Sequence, residues 1–304
     1  MEQKKPSLES TLKSSDTEEF IDIHFYRPIG YRLALFFQKV GVTPNAVTIA
    51  SIFIGIASGV FFYFDNIWMT LLGILFLVWA NAFDSTDGQL ARMTKNFSPF
   101  GRALDGFAGD LWFASIYIAI CLRLMPVFGF WIWILAVVAG YFHSKQAAMA
   151  DYYRNIHLLF LKGKSGSELD NSEELTQKYQ NETLKNNWFN KIYLFFYLGY
   201  TKGQEGWTPN FQEMFKVLKN RFGENFPETF RTDFRKKSLP LMKWTNILSF
   251  NTRAIVLFIS MLINHPWIYF VFELTVLNII LVYMVFTHEK VCKDFAKQLE
   301  AGNY

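Results

Sequence analysis

Between residues 84 and 110 the chain carries four aspartates, Asp84, Asp87, Asp105 and Asp110, with Gly88, Ala91, Arg92 and Gly101 among them. They lie where one long apolar stretch ends and the next begins. Carboxylates beside apolar chain are unfavourable unless a cation neutralises them, because a buried charge must be paired or ligate a metal. Asp84 and Asp87 are three residues apart, so on a helix both carboxylates share one face and can share a metal. Gly88 and Ala91 continue nearly the same face with small side chains, a smooth wall where a flat base or a sugar could approach the backbone. Arg92 offers a planar fork of donors suited to phosphate oxygens. Asp105 opens the following helix across a short loop and can face the first pair, which gathers hard oxygen ligands as a Mg²⁺-type ion requires. Such an ion polarises a phosphoryl group and stabilises charge on a leaving pyrophosphoryl oxygen.

These residues need elements to hold them, and composition says which. The chain has 304 residues, 51% hydrophobic and 18% aromatic, with 33 Phe, 14 Tyr and 9 Trp, too apolar for an ordinary soluble domain. Apolar runs at about 46–64, 67–83, 107–122, 127–143, 245–263 and 267–287 are each close to the ~20 residues that a bilayer-crossing helix needs. The expected fold is therefore an all-α integral membrane protein with six spans. The first twenty residues are polar and charged with no apolar h-region, so no cleavable signal peptide is read and the amino terminus is expected in the cytoplasm. Six spans leave turns at 65–67, 122–126 and 264–266 on the outside, where Arg123 is the lone basic residue. Arg92, Lys95, Arg102, the 151–243 segment and Lys290, Lys293 and Lys297 fall on the other side, which orients the acidic cluster and both termini to the cytoplasm. A net charge of +4 suits an anionic leaflet, and no basic stripe with base-stacking spacing points to nucleic acid. Cys121 and Cys292 fall near opposite faces and are expected to stay unpaired.

The organisation that follows is a disordered polar tail (1–19), an interfacial amphipathic helix (20–43), spans one to four (44–150) containing the 84–110 motif, a cytoplasmic insert (151–243), spans five and six (244–288) and a cytoplasmic tail (289–304). From Pro28, the residues Ile29, Leu33, Phe36, Phe37 and Val40 recur at helical spacing opposite Arg32, Gln38 and Lys39, the pattern of a helix lying in the membrane interface or packed on a partner. Gly41 is expected to end it, and Thr43 to cap a helix that begins at Pro44. In the insert, a helix is expected over 172–186, capped by Ser172. Trp188–Tyr200 and Phe211–Phe222 carry aromatics at helical intervals; they could lie on the membrane surface or pack against each other as a small subdomain. Lys162-Gly-Lys-Ser lacks the upstream glycine and preceding strand of a phosphate-binding loop and is set aside.

Asp84-x-x-Asp87-Gly88-x-x-Ala91-Arg92, eight residues, then Gly101-x-x-x-Asp105 closely resembles the signature of the CDP-alcohol phosphotransferases, integral membrane enzymes of phospholipid synthesis. The resemblance covers about 27 residues directly, and loosely 28–150 and 244–287. It implies a homodimeric six-span bundle, two Mg²⁺ or Mn²⁺ ions, and transfer of a substituted phosphate from a CDP-alcohol to an acceptor hydroxyl with release of CMP. It further implies Asp84, Asp87 and Asp105 as metal ligands, Gly88, Ala91 and Arg92 at the cytidine diphosphate, and Gly101 where helix and nucleotide approach closely. In the family the last aspartate, a metal ligand and the general base, stands four residues after Asp105; here residue 109 is Gly and the aspartate is Asp110. On a regular helix that side chain points about 140° from Asp105 instead of about 40°. A single-turn π-bulge between Gly106 and Gly109 would return it to the site.

Family members use either CDP-diacylglycerol with a polar acceptor or CDP-choline or CDP-ethanolamine with a lipid acceptor. Six spans in a short chain favour CDP-diacylglycerol. His143, Lys145 and Arg154, at the inner end of the fourth span, could bind an acceptor phosphate, so inositol, inositol phosphate or glycerol phosphate suits them; alternatively Lys145 and Arg154 snorkel to lipid headgroups. Transfer of phosphoethanolamine or phosphocholine to diacylglycerol or ceramide is the rival within the family. A divalent-ion carrier is the rival outside it, and leaves Gly88, Ala91, Arg92 and Gly101 without a role.

Overall fold

The computed structural model describes residue 8 and residues 14–304, and among these every regular element is helical. Most of the expected polar tail lies outside the described residues. The helices are α1 (Arg27–Val40), α2 (Pro44–Tyr63), α3 (Ile67–Thr94), α4 (Pro99–Phe128), α5 (Trp131–Lys162), α6 (Ser172–Asn181), α7 (Leu184–Gly206), α8 (Pro209–Phe222), α9 (Glu228–Ile247), α10 (Phe250–Leu262), α11 (Trp267–Phe272) and α12 (Asn278–Glu300). A π-helical turn, Asp22–Tyr26, leads into α1, and a second, Glu273–Leu277, joins α11 to α12. Two compact units form, residues 1–144 with 251–275 and residues 145–250 with 276–304.

Among the described residues, five stretches are long and apolar enough to cross a membrane: Pro44–Tyr63, Ile67–Thr94, Leu104–Phe128, Glu228–Leu262 and Trp267–Glu300. The protein is accordingly a multi-pass membrane protein by length and composition. α5 is long, but its apolar part gives way to His143, Lys145 and Gln146, which keeps it out of that set.

In the first unit the local signals act as their chemistry dictates. Gly41 ends α1 in the left-handed conformation (φ 75°), where a side chain would be strained. The Thr43 hydroxyl accepts the Ala46 N–H at 3.3 Å, and Pro44 opens α2. α2 packs on both α3 and α4. Its contact with α4 is close because Gly55 and Gly59 face Trp112 and Ser115; a Cβ there would come within 2.0 and 2.2 Å of those side chains. α1 packs on α3, and Ala34, Val47 and Leu90 form a small core with Phe37, Phe83 and Met93 against it. Arg123 holds the α2–α3 turn, donating to Asp65 at 2.6 Å and to the Phe62 carbonyl at 3.2 Å.

In the second unit α8 and α9 pack on α12, and α6 on α7. Phe160, Phe230, Phe234 and Phe295 form an aromatic core, with the Phe160 and Phe234 rings 4.2 Å apart. α8 buries Phe211, Met214 and Leu218, so this stretch packs inside the subdomain. α6 is capped by Asn171, whose side chain accepts the Glu173 N–H at 2.7 Å, and not by Ser172 as expected. Ser172 instead donates its N–H to Glu205 at 2.8 Å, and the helix stops at Asn181 where Glu182 turns extended. Cys121 and Cys292 are both buried and free.

Candidate active site

The motif is split between two helices and the four-residue turn that joins them. α3 carries Asp84, Asp87, Gly88, Ala91 and Arg92 on its last three turns and stops at Lys95, which adopts the left-handed conformation. Ser98 then caps α4, accepting the Gly101 N–H at 2.9 Å. This tight reversal returns Asp105 towards α3. Carboxylate oxygens of Asp84, Asp87 and Asp105 lie within 4.8 Å of one another, Asp87 buried, Asp84 half-buried and Asp105 exposed. Three carboxylates at that separation repel, and hard oxygen donors so arranged fit a divalent cation. The donor set present thus suits the metal that the motif implies.

A cavity of about 170 Å³ opens over these carboxylates, lined also by Tyr26, Arg27, Asn81, Gly88 and Arg92. The Arg92 guanidinium lies beside Gly88, 3.5 Å from where a Cβ on that glycine would stand. Its Nε and Nη2 are buried and have no hydrogen-bond acceptor among the described residues. An unmet buried cationic donor is unfavourable by itself and invites an anionic oxygen.

Several contributors were not legible in the motif. Thr48 of α2 donates its hydroxyl to Asp87 Oδ2 at 2.6 Å. Arg27, whose charge acts on Asp84, is held by Glu18 through two contacts of 3.0 and 3.1 Å. Glu18 and Arg27 therefore order the end of the tail that was expected to be disordered. The Gln89 side chain ties α3 to the Arg27 carbonyl at 3.1 Å. Tyr26 is buried against the site, and burial first, then the charges of Asp22 and Glu19, push its phenol above the ordinary value despite its hydrogen bond with Asn81. It faces the site as a neutral group. The signal for Tyr26 and Arg27 was only their place just before Pro28.

Gly101 is the point of closest approach to Asn45 of α2, since a Cβ there would lie 2.4 Å from Asn45 Oδ1. Ala91 is half-buried on α3 but does not line the cavity. Asp110 is not brought into the carboxylate cluster. α4 runs as an unbroken α-helix from Pro99 to Phe128, so the expected π-bulge does not form and the extra residue is not absorbed. Asp110 is exposed and sits within electrostatic reach of His143. Gly106 and Gly109 leave open space on the flank of α4 between Asp105 and Asp110.

The three basic residues considered for an acceptor have separate surroundings. His143 Nδ1 lies 3.2 Å from the Tyr117 hydroxyl and 3.3 Å from Glu273 Oε1. Glu273 is fully buried, takes both its oxygens to Arg253 at 2.6 Å and accepts the Tyr269 hydroxyl at 2.6 Å. An Arg and a Glu inside the fifth and sixth apolar runs were a signal open to sequence reading, because charges inside spans are rare without a partner. Lys145 lies against Gly203 of α7, its Nζ 3.6 Å from where a Cβ on that glycine would stand. Arg154 donates to Ser249 at 2.8 Å and Asn246 at 3.4 Å, while its Nε is buried with no acceptor among the described residues.

Comparison with known proteins points the same way. The family model for CDP-alcohol phosphatidyltransferase matches residues 41–153. An archaetidylinositol phosphate synthase of Pyrococcus horikoshii is 37% identical over 91 residues, 30% of this chain and 47% of that protein. The match thus spans about half the length of the relative. The carboxylate cluster, Arg92 and the capped α3–α4 reversal all fall inside residues 41–153, the segment that matches the CDP-alcohol phosphatidyltransferase model.

Proposed function

We propose that the chain transfers a substituted phosphate from a CDP-alcohol to an acceptor hydroxyl and releases CMP, with CDP-diacylglycerol as donor and a polar alcohol such as inositol, inositol phosphate or glycerol phosphate as acceptor. The observation that carries this reading is Arg92, whose buried nitrogens, at the rim of three clustered carboxylates, lack an acceptor among the described residues. A diphosphate satisfies both, its oxygens meeting the guanidinium while cations at the carboxylates offset its charge.

Asp84, Asp87 and Asp105 would hold Mg²⁺ or Mn²⁺, which would supply charge neutralisation of the diphosphate and polarisation of the phosphoryl group. The acceptor oxygen forms a bond to the phosphorus bearing the lipid alcohol, the bond from that phosphorus to the oxygen of CMP breaks, and the acceptor proton passes to a carboxylate. Asp110, exposed and near His143, is the proposed proton acceptor, so the acceptor approaches along the open flank at Gly106 and Gly109. The name of the Pyrococcus relative, an inositol phosphate lipid synthase, supports a phosphorylated polyol on the acceptor side. His143 and, separately, Lys145 and Arg154 remain the residues proposed for its recognition. A sixth span through α5, a cytoplasmic site and a homodimer complete the reading.

The test is to incubate purified protein and Mg²⁺ with radiolabelled CDP-diacylglycerol or CDP-ethanolamine against inositol, inositol phosphate, glycerol phosphate and diacylglycerol. CMP release with CDP-diacylglycerol and a polar acceptor is expected. Release only with CDP-ethanolamine and diacylglycerol would reverse donor and acceptor assignments, and no release with any pair would remove the proposal.

A further inference from the structure

α7 turns an aromatic face outward. Its backbone breaks at Asn187 and is helical from Trp188 onward. At 100° per residue, Trp188, Ile192, Phe195 and Phe196, with Phe189 and Tyr200 beside them, fall within about 140° of the helix circumference. All six are exposed, Trp188 by 63% and Phe195 and Phe196 by 59% each. The opposite face is the one the subdomain holds: Leu194, Thr201 and Gln204 are buried, Tyr197 donates to Asp170 at 2.6 Å, and Gln204 donates to the Ala148 carbonyl at 2.8 Å. An apolar stripe of this size at helical period marks an interaction surface.

Three observations say what covers it. The stripe mixes Trp and Tyr at its ends with Phe and Ile between, the amphipathic composition suited to a membrane–water boundary. The charge exposed at its border is positive: Lys202 stands at one edge, Lys191 at the same edge is turned onto the Tyr179 ring and carbonyl, and the helix's lone carboxylate, Glu205, lies on the far side accepting the Ser172 N–H. That complements anionic headgroups. Finally, α7 is fastened to α5 at Lys145 and Ala148, two and five residues after His143, where the apolar run ends. At 1.5 Å per residue this is about 3–8 Å past the end of the run, the depth of the headgroups. This depth argument rests on α5 as a span.

We propose that α7 is a membrane-docking helix that lies in the headgroup–acyl boundary of an anionic leaflet, its aromatic stripe towards the acyl chains and Lys202 at the lipid phosphates. It anchors the insert to the same surface from which lipid substrates come, independently of the spans.

Spin-label accessibility on the full chain in nanodiscs of phosphatidylcholine with phosphatidylglycerol tests this. Labels are placed at Ile192→Cys and Phe196→Cys on the stripe, at Lys216→Cys on the exposed side of α8, and at Val137→Cys on α5, which is 70% exposed. The parent chain, with Cys121 and Cys292 buried, supplies the background. At 192 and 196, collisions with oxygen should exceed those with a water-soluble nickel chelate several-fold, and at 216 the order should reverse. If 192 and 196 favour the nickel chelate while 137 favours oxygen, α5 is in lipid and the docking proposal is overturned. Exclusion of both reagents at 192 and 196 overturns it as well, because a protein surface then covers the stripe. A nickel preference at 137 with oxygen preference at 192 and 196 upholds docking and removes α5 from the spans.

Discussion

Thr48→Val tests the architecture of the carboxylate cluster more sharply than removing a carboxylate, because it leaves every proposed ligand in place. The Thr48 hydroxyl has two acceptors in reach, the Pro44 carbonyl at 3.2 Å and Asp87 Oδ2 at 2.6 Å, and its single proton goes to the shorter, charged one. Valine keeps the shape of the side chain and deletes only this bond. A hydrogen bond to a charged group contributes about 1.5–3 kcal/mol, which at about 1.4 kcal/mol per decade is roughly a 10- to 150-fold change in an equilibrium constant. Loss of a group that orients a metal ligand typically weakens metal affinity about 10- to 100-fold, in the same range. The Mg²⁺ needed for half-maximal CMP release should rise by that factor, and Thr48→Ser should restore it. A Mg²⁺-dependent shift in the melting temperature of the detergent-solubilised protein gives the same constant without turnover. Half-saturation within about twofold of the parent in both measurements would refute the reasoning, because on this scale it leaves Thr48 contributing less than about 0.5 kcal/mol to Asp87.

Asp84→Asn, Asp87→Asn and Asp105→Asn should each abolish Mg²⁺-dependent CMP release and the Mg²⁺-induced melting shift, and normal turnover in any of them would contradict the metal assignment. Asp110→Asn should lower turnover while leaving the Mg²⁺-induced shift unchanged, since Asp110 lies outside the cluster; a lost shift would show that it ligates metal. Arg92→Lys should raise the KM for the CDP-alcohol at least tenfold, because a point charge cannot replace the planar fork; titration of donor at saturating acceptor measures it. Glu273→Gln leaves Arg253 buried without its counter-charge and should destabilise the fold by about 3–5 kcal/mol, read as a lowered melting temperature that Arg253→Met in the same chain partly restores.

Local chemistry was readable from residue order. Gly41, Thr43 and Pro44 end one helix and start the next because a left-handed residue, a side-chain cap and a fixed φ act within a few residues of themselves. The pairing of Asp84 with Asp87 and the return of Asp105 were legible for the same reason, one helix face and one short reversal. Ser172 misled because Asn171, one residue earlier, is an equally good cap and takes the Glu173 N–H, while the remote Glu205 accepts the Ser172 N–H. The two aromatic stretches of the insert look alike as strings, yet α8 buries Phe211, Met214 and Leu218 while the α7 stripe is exposed, since burial depends on which neighbour arrives.

By itself, the sequence determined an all-helical chain with membrane-spanning apolar lengths, the resemblance to the CDP-alcohol phosphotransferase signature, and the three carboxylates beside an arginine, because apolar length, helical period and motif spacing are properties of adjacent residues. Tertiary structure alone decided that Thr48 holds Asp87, that Arg27 and Tyr26 close over the site, and that His143 is tied to a buried Glu273–Arg253 pair. It also decided Asp110: the azimuth of that side chain depends on whether α4 takes up one extra residue, and α4 stays regular, so the carboxylate turns towards His143 and away from the cluster.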